Sequence, residues 1–137
     1  MNGIENLKLH DVAWINNIFS KKAELIHVPN QHIGLMSSEN LSTVPGLEMK
    51  LQGIDPSIGQ DGRIWRHNHE GIIEIIILQG DSYYADLPPA VETVGAYKIH
   101  VVPAGFFHGN NDKPSYGYWL SVKVTQELYT ILMGELS

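Results

Sequence analysis

Three stretches of the chain alternate between hydrophobic and polar residues with a period of two. In the first of them, Leu47, Met49 and Leu51 are separated by single polar residues. Such alternation is typical of a β-strand with one buried face. The sequence therefore predicts three half-buried strands: Leu47–Ile54, Ala96–Val102 and Tyr118–Val124.

A fourth stretch, Ile72–Leu78, is hydrophobic without alternation and carries a single carboxylate, Glu74. A β-branched run of this length predicts a buried strand. An ionised carboxylate in apolar surroundings is costly unless it is paired or bound to a metal, so we expect a cationic partner for Glu74. Gly80-Asp81 predicts a tight turn after this strand, and Ser82–Ala85 a short strand that returns beside it.

The two ends of the chain differ in pattern from the middle. Val12–Phe19 predicts either a short strand or one helical turn, Ala23–Val28 alternates weakly, and Gly34–Ser38 is compatible with another strand. Thr125–Leu136 changes period and predicts a terminal helix packed on the sheet. Its apolar residues follow the spacing of one helix face: Leu128, Ile131, Leu132 and Leu136.

Turn residues separate these elements, as in the loop predicted over Asp55–Gly62. Short strands spaced by proline and glycine turns indicate an all-β barrel or a double-sheet jelly roll. We expect one domain over residues 1–137. Its predicted parts are N-terminal strands or an arm over 1–46, a barrel over 47–124 and the terminal helix over 125–137.

Composition narrows the function classes. The 137 residues are 43% hydrophobic and 18% charged, which is typical of a soluble globular protein. A net charge of −6 with nine Lys and Arg argues against nucleic acid and membrane surfaces as partners. No apolar run of 18 residues and no basic leader is present, which favours the cytoplasm. Without cysteine, histidine and carboxylate side chains are the strong metal ligands available.

A pair of histidines precedes the buried strand. His67 and His69 are separated by one residue, so in an extended segment both imidazoles leave the same face, with Cα atoms about 6.5 to 7 Å apart. That arrangement suits two ligands of one metal ion. A cation held there would also supply the partner that Glu74 needs. Trp65 shares their face, and together with the core strand that follows it suggests that the two histidines are buried; Trp65 itself is expected in the core or at the rim.

The segment Gly62-x4-His67-x-His69-x4-Glu74-x5-Gly80, with Pro103-x-Gly105-x2-His108 downstream, resembles the two motifs of the cupin superfamily. The resemblance covers about residues 47–124 and implies a small jelly-roll barrel. It also implies that His67, His69, Glu74 and His108 bind one divalent metal ion, which could be Fe, Mn, Ni or Zn. His108 is a candidate through this resemblance alone.

The spacing departs from the common cupin pattern by one residue before Glu74. A one-residue slip in a strand turns a side chain to the opposite face. Two interpretations follow: either the Glu70-Gly71 turn absorbs the extra residue and Glu74 reaches the metal, or the site has three histidines and Glu74 faces elsewhere. We favour the first, since Glu74 would otherwise lack a partner.

Other polar and aromatic residues are weaker candidates. His27 and His32 flank a turn and are expected at the surface, and His100 is expected to be structural. Arg63 and Arg66 could clamp an anionic substrate, although a solvated pair is the simpler interpretation. The remaining aromatic residues are expected in the core or at the rim: Tyr83, Phe106, Tyr118 and Trp119.

The resemblance implies an enzyme that acts on a small oxygen-containing molecule, and dioxygenase is the leading hypothesis. In it His67, His69 and His108 are neutral ligands, and Glu74 is a ligand or a general base. The alternatives are a metal-dependent lyase, isomerase or cyclase, and a non-catalytic cupin that binds a small ligand or metal. The fold does not choose among these chemistries. Family members often dimerise, so a homodimer is expected.

Overall fold

One antiparallel sheet organises the protein. The computed structural model describes residues 3–29, 34–54 and 62–134. Its strands are β1 (Ile26–His27), β2 (Leu35–Ser37), β3 (Leu47–Ile54), β4 (Ile73–Gln79), β5 (Glu92–Val94), β6 (Tyr97–Val102) and β7 (Gly117–Val124). Their order in the sheet is β1-β2-β3-β7-β4-β6-β5, and every pairing is antiparallel.

Two helices accompany the sheet, α1 (Val12–Phe19) and α2 (Gln126–Gly134), with 3-10 turns at Ile4–Asn6 and Ser20–Glu24. The side chain of Asp11 caps α1 by accepting hydrogen bonds from the amides of Ala13 and Trp14 at 2.9 and 3.2 Å. The helix predicted over Thr125–Leu136 is confirmed in α2. Residues 135 and 136, the end of that predicted span, lie outside the described residues.

The central strands are buried on both faces, which explains the uninterrupted hydrophobic run of β4. On one face, β3, β4, β6 and β7 pack against α1, and Leu51, Ile75 and Leu120 are fully buried there. On the other face a smaller cluster surrounds Ile76 and Trp119. The buried polar residues of the central strands, Glu74 and Ser121, lie on this second face.

Three local predictions differ from the structure. Val12–Phe19 is a helix of eight residues, because the Asp11 cap and the buried Ile15, Ile18 and Phe19 favour helical spacing. Ser82–Ala85 is not a strand beside β4: Tyr83 forms only an isolated bridge with Tyr116, and β6 and β7 occupy the two edges of β4. The sequence also gave no sign of β5.

The strands predicted over Leu47–Ile54, Ala96–Val102 and Tyr118–Val124 match β3, β6 and β7. The predicted loop residues 55–61 lie outside the described part of the chain. Among the described strands β1 and β5 form the two edges, so the sheet is open. The protein is thus mostly β with a short C-terminal helix. None of the helices in the described ranges has the length and hydropathy needed to cross a bilayer.

Candidate metal centre

Two loop segments meet above the second face of the sheet. His67 and His108 form an isolated antiparallel bridge in which each amide donates to the carbonyl oxygen of the other at 2.9 Å. Between the same two segments, the amide of Gly105 donates to the carbonyl oxygen of His69, also at 2.9 Å. These backbone bonds bring together the two histidine motifs, which are 41 residues apart from His67 to His108.

Glu74 enters the site from below, on β4. The Glu70-Gly71 turn, with Gly71 at φ +68°, takes up the extra residue, and the strand begins at Ile73 rather than at Ile72. The carboxylate is 4% exposed, and its Oε1 lies 2.9 Å from Nε2 of His108 and 3.3 Å from Nε2 of His69. Of the two interpretations of the spacing, the structure has the one in which Glu74 faces the histidines.

The four side chains form one compact group of potential ligands. His67, His69, Glu74 and His108 each offer one ligand atom, and these atoms all lie within 4.8 Å of one another. Ligand atoms at about 2.0 to 2.2 Å from a common ion are at most about 4.4 Å apart. The upper limit of the separations in the group exceeds that value by a few tenths of an ångström, so the side chains would move closer together around a bound ion.

The backbone fixes two of the imidazole rings. Nδ1 of His67 lies 2.6 Å from the carbonyl oxygen of Trp65, and Nδ1 of His108 lies 3.2 Å from that of Phe106. A carbonyl oxygen only accepts, so each Nδ1 carries a proton, which leaves Nε2 of a neutral His67 with its lone pair. Metal-binding histidines commonly have this arrangement, in which the outer nitrogen donates to a backbone carbonyl.

His108 in addition faces an oxygen acceptor on both of its nitrogens, since Nε2 points to Glu74. A neutral imidazole has only one N–H, so it cannot donate to both. Either a second proton on the ring or a metal cation at Nε2 resolves the conflict. Nε2 of His69 is buried without a hydrogen-bond partner, since its contact with Glu74 is close but not aligned. The positions of Nε2 of His108 and Nε2 of His69 are both consistent with a site that holds a cation.

The electrostatics keep Glu74 charged and His67 neutral. Burial by itself would raise the pKa of Glu74, but hydrogen bonds from His108 and Ser121 and the close approach of His69 outweigh it and hold the pKa well below its ordinary value. Burial lowers the pKa of His67, and the neighbouring His108 and His69 lower it further. A carboxylate anion beside a neutral imidazole is the protonation state that a metal requires.

Ser121 is a member of the site that the sequence did not reveal. Its hydroxyl donates to Oε2 of Glu74 at 2.5 Å, and both side chains are 4% exposed. This bond occupies one carboxylate oxygen and leaves Oε1 toward the histidines. The available signal was a serine between Leu120 and Val122 in a strand, on the same side as Trp119. Only the pairing of β7 with β4 shows that this serine lies beside Glu74.

The group opens into a cavity of about 160 Å³. The sheet supplies its polar floor, and the loop before β4 supplies its wall. Burial, with a contribution from the nearby Glu74 charge, raises the pKa of the buried Tyr84 and keeps its hydroxyl protonated. The lining residues are Leu35, Gln52, Ile64, His67, His69, Glu74, Tyr84, Trp119 and Lys123.

The remaining candidates lie elsewhere. Trp65 is 63% exposed and so does not belong to the core: the segment before β4 is a loop with one bridge, and strand alternation does not apply there. Arg63 and Arg66 are not among the described residues that line the cavity, and Arg66 lies 4.9 Å over the ring of Phe107. Trp119 belongs to the core, as expected.

The other histidines that the structure describes are also outside the group. Nδ1 of His100 contacts the carbonyl oxygen of Pro88 at 2.7 Å, in keeping with a structural role. His27 lies exposed on β1, and His32 lies outside the described residues.

Comparison with known proteins assigns no family to this chain. No protein-family model matches this sequence, and no curated protein matches it. The sheet and the cluster of histidine and glutamate are compatible with a cupin-like fold.

Proposed function

We propose that this protein is a metal-dependent cupin with a jelly-roll fold. In this proposal His67, His69, Glu74 and His108 bind one divalent ion of Fe, Mn, Ni or Zn. The observation that carries the proposal is the convergence of these four side chains, from one strand and two loops, to within 4.8 Å. A buried carboxylate is costly unless it is paired, and a metal ion held by the three imidazoles would pair with it. The donor set of nitrogen and oxygen suits these metals.

We further propose that the protein is an enzyme acting on a small oxygen-containing molecule, with Fe(II)-type dioxygenase activity as the leading candidate. A bound divalent ion would polarise substrate oxygens and, if redox-active, would allow O2 to react beside the substrate. The cavity of about 160 Å³ supports a small substrate, since it is below the roughly 300 Å³ at which most ligand pockets begin.

The side chains of the chain have distinct roles in this proposal. His67 and His108, oriented by the carbonyl oxygens of Trp65 and Phe106, present unprotonated Nε2 atoms. Glu74 presents Oε1 while Ser121 holds Oε2. If a proton has to be removed from the substrate, Glu74 is the base closest to the histidines. The loop that carries His67 covers the carboxylate and limits its access to water.

The test is elemental analysis of the purified protein by plasma mass spectrometry, with the His67→Ala and Glu74→Gln variants measured in parallel. We expect about one equivalent of metal in the wild type and its loss in His67→Ala. Iron would direct the search for activity to oxygen uptake, whereas Zn, Ni or Mn would favour lyase, isomerase or cyclase chemistry. Metal retained at full occupancy in His67→Ala, or none in the wild type after reconstitution, would overturn the site.

The Glu74→Gln variant distinguishes a centre in which Glu74 is a ligand from a centre of three histidines alone. Glutamine keeps the size of the side chain and removes its charge. We expect metal affinity to fall by more than tenfold, as for loss of a ligating carboxylate. Unchanged affinity would mean that three histidines suffice.

A further inference from the structure

Lys123 lies beside the proposed centre and has no part in holding it. On β7 it is the register partner of Glu74 on one side and of Glu48 on the other. Directly paired residues of neighbouring strands share a face of the sheet, so Lys123 lies on the face that carries the site. Its side chain lines the same cavity as His67, His69 and Glu74.

The ammonium group is held only loosely by the protein. Its Nζ is 3.9 Å from Oε1 of Glu48, which is too long for a hydrogen bond, and the same oxygen is 3.8 Å from Nζ of Lys50. Two lysines thus share one partly exposed carboxylate. Ion pairs of this kind contribute little free energy, so Lys123 can turn its three N–H donors to a ligand at little cost.

Lys123 also lies at the meeting point of two spaces. Together with His69 it lines a second, outer cleft of about 410 Å³ that includes Glu48 and Ile72. The ammonium-bearing side chain thus borders both the cleft and the cavity that holds the proposed centre. The position suits a residue that selects a ligand by its charge.

The charges of the filled site favour an anion. Three neutral imidazoles, one carboxylate and a divalent ion sum to +1, and Lys123 adds another positive charge. In a cavity partly closed to water, a cationic ligand is strongly disfavoured and a negatively charged one is stabilised. The volume of about 160 Å³ admits only a small molecule.

We propose that Lys123 binds the carboxylate group of a small anionic substrate in the metal-site cavity. This inference rests on the proposed function, since the metal supplies two of the three positive charges. It gives the substrate class as small carboxylates that can offer a second oxygen to the metal, such as 2-hydroxy acids. Lys123 acts as a specificity residue: it takes no part in metal binding.

The experiment is calorimetric titration of the zinc-loaded protein with lactate and acetate, and with lactamide as the neutral counterpart of lactate. Zinc occupancy is measured first in every sample. We expect lactate to bind more tightly than lactamide. Lys123→Met, which keeps the length of the side chain, should weaken lactate binding roughly 10- to 100-fold, as for loss of a hydrogen bond to a charged group, with zinc occupancy unchanged.

Two variants serve as matched controls. Lys50→Met removes the other lysine that contacts Glu48 but does not line the cavity, and it should leave lactate binding unchanged. Lys123→Arg keeps the charge and should retain binding. The inference is overturned if Lys123→Met binds lactate as tightly as the wild type, if lactamide binds as well as lactate, or if neither acid binds the zinc-loaded protein. A wild type that takes up none of the four candidate metals, Fe, Mn, Ni or Zn, refutes the proposed function itself, before any titration.

Discussion

Replacing Ser121 by alanine tests whether the hydrogen bond beneath Glu74 orients the carboxylate. The hydroxyl donates to Oε2 at 2.5 Å, and both residues are almost fully buried. Serine and alanine differ by one oxygen atom, so the change creates little space. Its main effect is to leave one oxygen of a buried carboxylate without a donor.

The magnitude follows from that geometry. A hydrogen bond to a charged group contributes about 1.5 to 3 kcal/mol, and a buried acceptor left without a partner costs a similar amount. We expect the free energy of unfolding of the metal-free protein to fall by about 2 kcal/mol. For a domain of this length that corresponds to roughly 6 to 10 °C in Tm. Metal affinity should fall about 10- to 100-fold, as is typical when a residue that orients a ligand is removed.

Urea denaturation and competition with a chelating dye measure the two quantities separately. Ser115→Ala is the matched control, because Ser115 is equally buried but its hydroxyl oxygen accepts from the amide of Ala85. That variant should lose about 1 kcal/mol and keep its metal affinity. If Ser121→Ala retains both its stability and its metal affinity, the carboxylate is positioned by the histidines alone and our account of Ser121 is refuted.

Two further predictions concern pH and backbone geometry. The pKa values of Glu74 and His67 are lower in the folded protein than in the unfolded chain, so the folded state binds fewer protons. Stability is therefore lost as the pH falls. The loss begins below about pH 6.5 for His67 and below about pH 4.5 for Glu74. A thermal melt of metal-free protein with the same Tm at pH 7 and pH 4 would contradict this. Gly109→Ala should destabilise the protein by more than Gly105→Ala. Both glycines have φ near +80°, but a Cβ at Gly109 would lie 2.8 Å from the carbonyl oxygen of Trp65, whereas at Gly105 it meets nothing within 4 Å. Equal losses in urea denaturation would show that only the backbone angle matters.

The prediction for Gly109→Ala extends to the metal site through the carbonyl group of Trp65. It accepts the hydrogen bond from Nδ1 of His67. Displacing it should therefore weaken metal binding in Gly109→Ala and leave it unchanged in Gly105→Ala. A chelator competition on the two variants decides this independently of stability.

Local periodicity determined the long elements of this fold. Alternation in Leu47–Ile54 and Tyr118–Val124 was enough to predict β3 and β7, because a strand with two distinct faces leaves a period of two in the sequence. The i, i+3, i+4 spacing in the last segment predicted α2 in the same way. Two of the shortest elements were not predicted correctly, since the three residues of β5 and the isolated bridge at Tyr83 are too brief to leave a pattern.

The sequence by itself also pointed to His67, His69 and Glu74, because ligand type and spacing are local properties. The resemblance to the cupin motifs added His108. The sequence could not decide the direction of Glu74, since the spacing allowed a slip that the turn at Gly71 absorbs only in the folded chain. Nor could it find Ser121 and Lys123, which reach the site through the pairing of β7 with β4. Strand pairing is a long-range choice set by the burial of both faces of the sheet. Only the tertiary structure therefore decided which polar residues surround the carboxylate.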